Sequence, residues 1–263
     1  MTPDEAKLWA RRQLEAAGVA DPAGDARRLW QFAVPDKADH LERFVDLIVR
    51  RSNREPVSHI TGRRAFWKHE FTVTNEVLDP RPETETLIEC ALEHSFQRVL
   101  DLGTGSGCIV ISLLHERPDA TGLATDISEG ALDIARSNAN SILEPGRLEL
   151  KVSDWFERID SKFDLIVSNP PYISANEMSK LEPEVQKFEP RQALTDEADG
   201  LEAYRAITDG ALDHLTEGGR LLVEIGHTQA QDVMKLFVDG GFGDVKAVRD
   251  LGGAERVISG QKR

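Results

Sequence analysis

Two short segments carry residues whose types and order could do chemistry. In Ser168-Asn169-Pro170-Pro171-Tyr172, two prolines stand between an amide side chain and an aromatic ring. Proline lacks an N–H donor and holds φ at about −65°, so such a loop is rigid and aims its carbonyls outward. The Asn169 side-chain oxygen and the Pro170 carbonyl then form a pair of acceptors for an –NH₂ group, and Tyr172 offers a flat face to a planar amide or base. The plainer alternative is a proline-stiffened surface turn. In Asp101-Leu102-Gly103-Thr104-Gly105-Ser106-Gly107, glycines alternate with small polar residues, which lets backbone approach a ligand without a Cβ clash. A dinucleotide fingerprint would need its third glycine where Cys108 stands. Gly-x-Gly-x-Gly after an acidic residue instead fits the methyl donor S-adenosylmethionine, which has no pyrophosphate and whose ammonium group tolerates a nearby carboxylate. A plain tight turn is the competing reading.

Asp126 lies 23 positions after Gly103. An acidic residue about 20 positions beyond such a loop binds ribose hydroxyls through its two oxygens. The alternative is a helix N-cap, a role that Ser128 fills better. Ser153-Asp154-Trp155-Phe156 offers a carboxylate to an adenine amino group and a ring to pack on the base, although an aromatic pair also suits a core. Other residues read as structural. His59, His69, His94, His115 and His227 show no ligand spacing and read as surface or loop groups. Cys90 and Cys108 form neither a disulfide framework nor a metal site, and Trp9, Trp30, Trp67 and Cys108 read as packing residues.

The elements that must position these loops alternate. Arg98–Leu102, Gly122–Thr125, Leu148–Val152, Phe163–Val167 and Arg220–Ile225 read as strands, with helices over Cys108–His115, Glu129–Leu143, Gly200–Leu215 and Thr228–Val238. Strand–helix alternation means an α/β fold with a doubly wound parallel sheet, whose ligands sit beyond the carboxyl ends of the strands. Val245–Val248 and Arg256–Ser259 read as a terminal hairpin on one edge. Before this lie a capped helix at Thr2-Pro3-Asp4-Glu5, a second over Asp25–Phe32 and a third carrying Leu41, Phe44, Val45, Leu47 and Ile48 on one stripe. They make a small bundle ended by Asn53-Arg54-Glu55-Pro56, with Ala65–Thr74 as a hairpin. The expected domains are residues 1–75 and 76–263.

Composition sets limits. The 263 residues are 40 % hydrophobic with a net charge of −14, enough apolar content for a true core. Residues 1–68 carry 13 Lys/Arg against 10 Asp/Glu, a net +3, and the remainder 19 against 36, a net −17. An acidic body repels a phosphate backbone and attracts basic partners, which argues against direct nucleic-acid binding and for a protein substrate. No apolar run approaches a membrane span, and the acidic start does not read as a signal peptide. A cytoplasmic protein is expected.

Taken together, the methyl-donor loop, Asp154-Trp155, Asn169-Pro-Pro-Tyr172 and Pro80-Arg81-Pro82-Glu83-Thr84-Glu85 closely resemble the release factor glutamine N5-methyltransferases. The resemblance extends to Arg54-Glu55-Pro56, Gly62, Phe66-Trp67, Phe188-Glu189-Pro190-Arg191 and Glu224-Ile225-Gly226. It implies a seven-stranded, Rossmann-like methyltransferase domain behind a helical domain that helps recognise a protein. It also implies transfer of a methyl group to the glutamine of the Gly-Gly-Gln motif in class 1 peptide chain release factors. Carried over by position, Gly103, Thr104, Gly105, Ser106, Gly107, Asp126, Asp154 and Trp155 would bind the donor. Asn169, Pro170, Pro171 and Tyr172 would bind the glutamine amide, with Asn169 close to both ligands and Pro80–Glu85, with Arg81 and Glu83, along the substrate channel. One departure is Asp79, where the family usually has an aliphatic residue. Two other substrates remain open on these residues: a ribosomal-protein glutamine, or an amino group of DNA or RNA, since the signature loop is shared with nucleic-acid methyltransferases.

Overall fold

The computed structural model describes residues 2–34 and 40–263. In chain order the elements are α1 (Pro3–Ala16), α2 (Pro22–Ala33), α3 (His40–Ser52), α4 (Val57–Thr61), β1 (Arg63–Phe66), β2 (His69–Thr72), α5 (Glu85–Leu92), β3 (Arg98–Leu102) and α6 (Cys108–Glu116). They continue with β4 (Thr121–Asp126), α7 (Glu129–Ile142), β5 (Leu148–Val152), β6 (Phe163–Ser168), α8 (Pro183–Phe188), α9 (Glu202–His214), β7 (Leu215–Glu224), α10 (Ala230–Asp239), β8 (Gly243–Arg249) and β9 (Glu255–Gln261).

The chain folds into two compact units. The first runs to Arg63 and adds Leu181–Phe188; the second is Arg64–Lys180 with Glu189–Arg263. This differs from the expected division at 75/76. Phe66 and Phe71 are buried in the core of the second unit with Leu87, Val99 and Ile109, so the β1–β2 hairpin belongs with the sheet rather than with the helices.

In the first unit, Thr2 accepts the Glu5 N–H while the Glu5 carboxylate accepts the Thr2 N–H, a reciprocal cap that starts α1. Asp21 caps α2 through the Gly24 N–H at 2.9 Å, with Pro22 in the first turn, which is why α2 begins before the expected Asp25. Ala6, Ala10, Leu14, Leu29, Phe44 and Ile48 form the core. α8, which the sequence pattern did not announce, joins this unit through charge. Glu184 receives Arg51 at 3.0 Å and Arg54 at 2.6 Å, and Arg51 also pairs with Asp25 at 2.7 Å. Arg54 and Glu55 of the resemblance thus have a structural task, since Arg51 also donates to the Glu55 carbonyl at 3.1 Å.

The second unit is a seven-stranded sheet in the order β5-β4-β3-β6-β7-β9-β8, antiparallel only where β9 pairs with β7 and β8. The expected terminal hairpin is present, with β9 inserted between β7 and the edge strand β8. Apolar layers fill both faces, one holding Val110, Leu113 and Leu165, the other Tyr204, Ile207 and Phe237. Among the described residues, no helix is long and apolar enough to cross a membrane. His69 and His115, read from sequence as surface or loop groups, meet edge to face with centroids 4.3 Å apart, and burial lowers the His69 pKa.

Candidate active site

Register aligns the loops. Leu102 pairs with both Thr125 and Ser168, Asp126 with Val152, and Ser168 with Val223. The parallel strands therefore end level, and Gly103, Ile127, Ser153, Asn169 and Glu224 follow along one rim. Strand order reverses between β3 and β6, the switch point at which such sheets open a crevice. A cavity of about 340 Å³ lies there. Ten expected site residues line it: Arg81, Gly103, Thr104, Gly105, Ser106, Asp126, Asp154, Trp155, Asn169 and Pro171. Gly107, Pro170, Tyr172 and Glu83 are outside the lining.

On the glycine side, Gly103 and Gly105 have φ of +66° and +54°, and a Cβ built on either meets nothing within 4 Å. The glycines supply a left-handed turn and leave the cavity open where side chains would fill it. Gly107 shares the left-handed φ, at +79°, and also lies close against α6, where a Cβ would come within 2.7 Å of Ile111 Cδ1. Asp126 holds the loop, accepting the Gly105 and Ser128 N–H groups at 2.9 Å each. Ser128 is the cap of α7, accepting the Ala131 N–H. Each Asp126 oxygen keeps a lone pair for a hydroxyl, and burial raises the carboxyl against those two backbone hydrogen bonds. Asp101 is fully buried, accepts the Thr104 hydroxyl at 2.6 Å and is pushed up to about 7 by burial. Trp155 sits at φ +40°, an uncommon backbone state for a bulky residue, which turns a core-type ring to the cavity wall. Burial pushes the Cys108 thiol up to about 12, which fits its reading as a packing residue.

On the other side, the signature loop starts from a tied strand end, with Ser168 Oγ donating to the Leu102 carbonyl at 2.7 Å. Asn169 Nδ2 donates to Thr84 Oγ1 at 3.3 Å, and its Oδ1 is buried without a partner. A buried acceptor left unpaired costs about 1–3 kcal/mol, a cost that an incoming N–H would remove. The Tyr172 carbonyl accepts from Gln229 Nε2 at 3.0 Å, and burial followed by negative Glu224 pushes its phenol up to about 12. Glu224, 1 % exposed, is pushed up to about 7 by burial, opposed by the nearby Thr84 side chain, Arg256 and Arg81, with Glu83 adding repulsion, and its Oε2 is buried without a hydrogen-bond partner.

Arg81 reaches the cavity, but its Nη2 contacts both Glu189 oxygens at 2.6 and 2.7 Å, so its charge is committed to tying the linker to the Glu189–Pro190 segment. Thr84, of the Pro80–Glu85 segment expected along the substrate channel, and Pro190, of the resembling Phe188–Arg191 segment, line the cavity too; Gln192, Ala193 and Ile127 also line it, and the sequence pattern gave these three no role, although Ile127 directly follows the acidic residue. Asp79, the departure noted above, is buried beside Arg64 at 3.7 Å, which makes a carboxylate tolerable there.

A glycine loop that keeps a crevice open, facing an unsatisfied acceptor across a switch point, is the arrangement of α/β proteins that transfer methyl groups. Residues 73–185 match the Methyltransferase small domain and residues 5–62 the PrmC N-terminal domain. Release factor glutamine methyltransferases of Cereibacter sphaeroides and Caulobacter vibrioides are 48 % and 42 % identical, covering 94 % and 100 % of this chain and 94 % and 98 % of theirs. A crystal structure of a methyltransferase from Pyrococcus furiosus shares the fold, with a TM-score of 0.57 at 18 % identity over 75 % of this chain and 91 % of its own. The chain belongs to the release factor glutamine methyltransferase family.

Proposed function

We propose that this chain transfers a methyl group from S-adenosylmethionine to the side-chain amide nitrogen of the Gly-Gly-Gln glutamine in class 1 release factors, in the cytoplasm. The observation that carries this reading is Asn169 Oδ1, a buried acceptor with no partner, set beside an open glycine loop. S-adenosylmethionine, when bound, supplies an electrophilic methyl group. Gly103–Ser106 would leave room for it, Asp126 would take the ribose hydroxyls and Asp154 the adenine amino group, and Trp155 and half-exposed Ile127 would supply apolar surface to the base.

An amide nitrogen is a poor nucleophile because its lone pair is delocalised into the carbonyl. Asn169 Oδ1, on the cavity side, would accept one of its hydrogens, and the carbonyl of Pro170, next in the loop though outside the cavity lining, would accept the other, returning electron density to nitrogen. Those hydrogen bonds strengthen as positive charge grows there, which is binding of the transition state rather than the ground state. The rigid loop also holds nitrogen at attack distance. No titrating side chain in the loop is needed as a base, because the methylated amide is acidic enough to lose its proton to water.

Methyl-labelled S-adenosylmethionine, offered with purified class 1 release factor, ribosomal proteins and nucleic acids, tests this directly. Label is expected on the release-factor glutamine, and Asn169→Ala should slow single-turnover transfer by about 10²–10³-fold. Label on a ribosomal protein or a nucleic acid instead would overturn the reading.

A further inference from the structure

One carboxylate in the cavity wall has no task in the chemistry above. Glu76, between β2 and the Pro80–Glu85 linker, lines the cavity beside Asp126, Ile127, Ser128 and Ala131. Its backbone N–H donates to Thr74 Oγ1 at 3.2 Å, and among the described residues its carboxylate has neither a hydrogen bond nor an ion pair.

Gly130, in the first turn of α7, shows where that carboxylate lies. A Cβ built on Gly130 would stand 2.5 Å from Glu76 Oε2 and 3.1 Å from its Cδ. Gly130 has no left-handed φ, so an alanine there would disturb the approach of Glu76 and not the backbone. The N–H groups of a first turn carry positive partial charge, which favours a carboxylate beside them. Asp126 is tied to the same helix start, accepting the N–H of the capping residue Ser128 at 2.9 Å. The beginning of α7 thus gathers two carboxylates at one end of the cavity.

A ribose carries two adjacent hydroxyls, each with one hydrogen to donate. Both Asp126 oxygens already accept a backbone N–H, whereas both Glu76 oxygens accept nothing. Hydroxyl-to-carboxylate bonds are short and strong. We propose that Glu76, seated over Gly130, is a second ribose ligand that shares the diol with Asp126, one hydroxyl to each. This rests on the reading of S-adenosylmethionine as the donor.

Calorimetry on the full chain tests it, with S-adenosylmethionine and the thioether S-adenosylhomocysteine, which has the same ribose without the sulfonium charge. Glu76→Ala should weaken both equally, by about tenfold, near the lower end for a hydrogen bond to a charged group because Glu76 is exposed. Against the 2′-deoxy and 3′-deoxy forms of S-adenosylhomocysteine, that loss should vanish for one and persist for the other. Gly130→Ala favours the helix but displaces the carboxylate, so it should weaken both ligands alone and add nothing to Glu76→Ala. Unchanged affinity in Glu76→Ala would overturn the proposal, leaving Glu76 a solvated surface group. Loss confined to S-adenosylmethionine would overturn it too, since Glu76 would then answer to the sulfonium and not to a hydroxyl. Equal losses against both deoxy forms, or a further loss in the double variant, would do the same. A wild-type chain that binds neither ligand would instead bring down the donor reading beneath it.

Discussion

Asp101 shows how a single carboxyl links site architecture to stability. Burial holds it at about 7, only partly offset by the Thr104 hydroxyl, and the nearby Asp126 charge adds to the rise. An acid whose folded pKa exceeds its unfolded value keeps its proton longer in the folded state. Stability is therefore greatest below the unfolded value and falls as pH rises, levelling off above about 7. At 1.36 kcal/mol per unit, the loss between pH 5 and 8 is about 2–3 kcal/mol. Urea unfolding without donor should show that slope diminished by this amount in Asp101→Asn; an unchanged difference would mean that Asp101 is ionised throughout. The glycines, Asp126 and the Asn-Pro-Pro-Tyr loop were legible because their residue types are rare in that order. Glu224 and Thr84 entered only through the resemblance, within Glu224-Ile225-Gly226 and Pro80–Glu85, because an acid in an apolar run and a threonine whose neighbours are distant in sequence carry no local signal of their own.

At the scale of elements, Gln229 holds three segments together. Its Nε2 donates to the Tyr172 and Gly200 carbonyls at 3.0 and 3.1 Å, and its Oε1 accepts the Gly226 N–H at 3.0 Å. Close approach explains two glycines here: a Cβ on Gly200 would lie 2.4 Å from the Tyr172 oxygen, and one on Gly226 would lie 2.8 Å from Gln229 Oε1. Gln229→Leu strands three backbone groups, at about 1 kcal/mol each. Hydrogen exchange should quicken at Gly226 and around Tyr172, and the methylation rate should fall more than donor affinity. Protection equal to wild type would show that the loop is held by its prolines alone. Strand positions were readable from short apolar runs, within a residue or two for β3, β5 and β6. The register that levels their ends was not, because pairing is decided between segments rather than within one. α5 and α8 escaped notice because each has too few turns to display a period.

For the whole molecule, every cavity residue lies in the second unit. A chain beginning at Arg64 should keep its donor affinity within about threefold yet methylate a release factor poorly, if the helical unit serves substrate recognition. A chain beginning at residue 76 should fare worse. It lacks Phe66 and Phe71, whose loss from a core costs about 3–5 kcal/mol each, and a donor titration should find it unfolded. Equal melting temperatures for the two chains would place the hairpin outside the core. The acidic body and the near-neutral helical unit suit a basic protein partner over a phosphate backbone.

The excursion of α8 has a further meaning. The backbone leaves the second unit after Lys180, gives eight residues to the first, and returns at Glu189, where Arg81 fastens it. Neither unit is thus encoded by an uninterrupted stretch. Recombination with one break at residue 63 would deliver a bundle without its fifth helix and a sheet domain trailing a helix whose Glu184 has lost both arginines. Two modules sewn together in this way are inherited as a pair, because a single exchange cannot trade either one away whole.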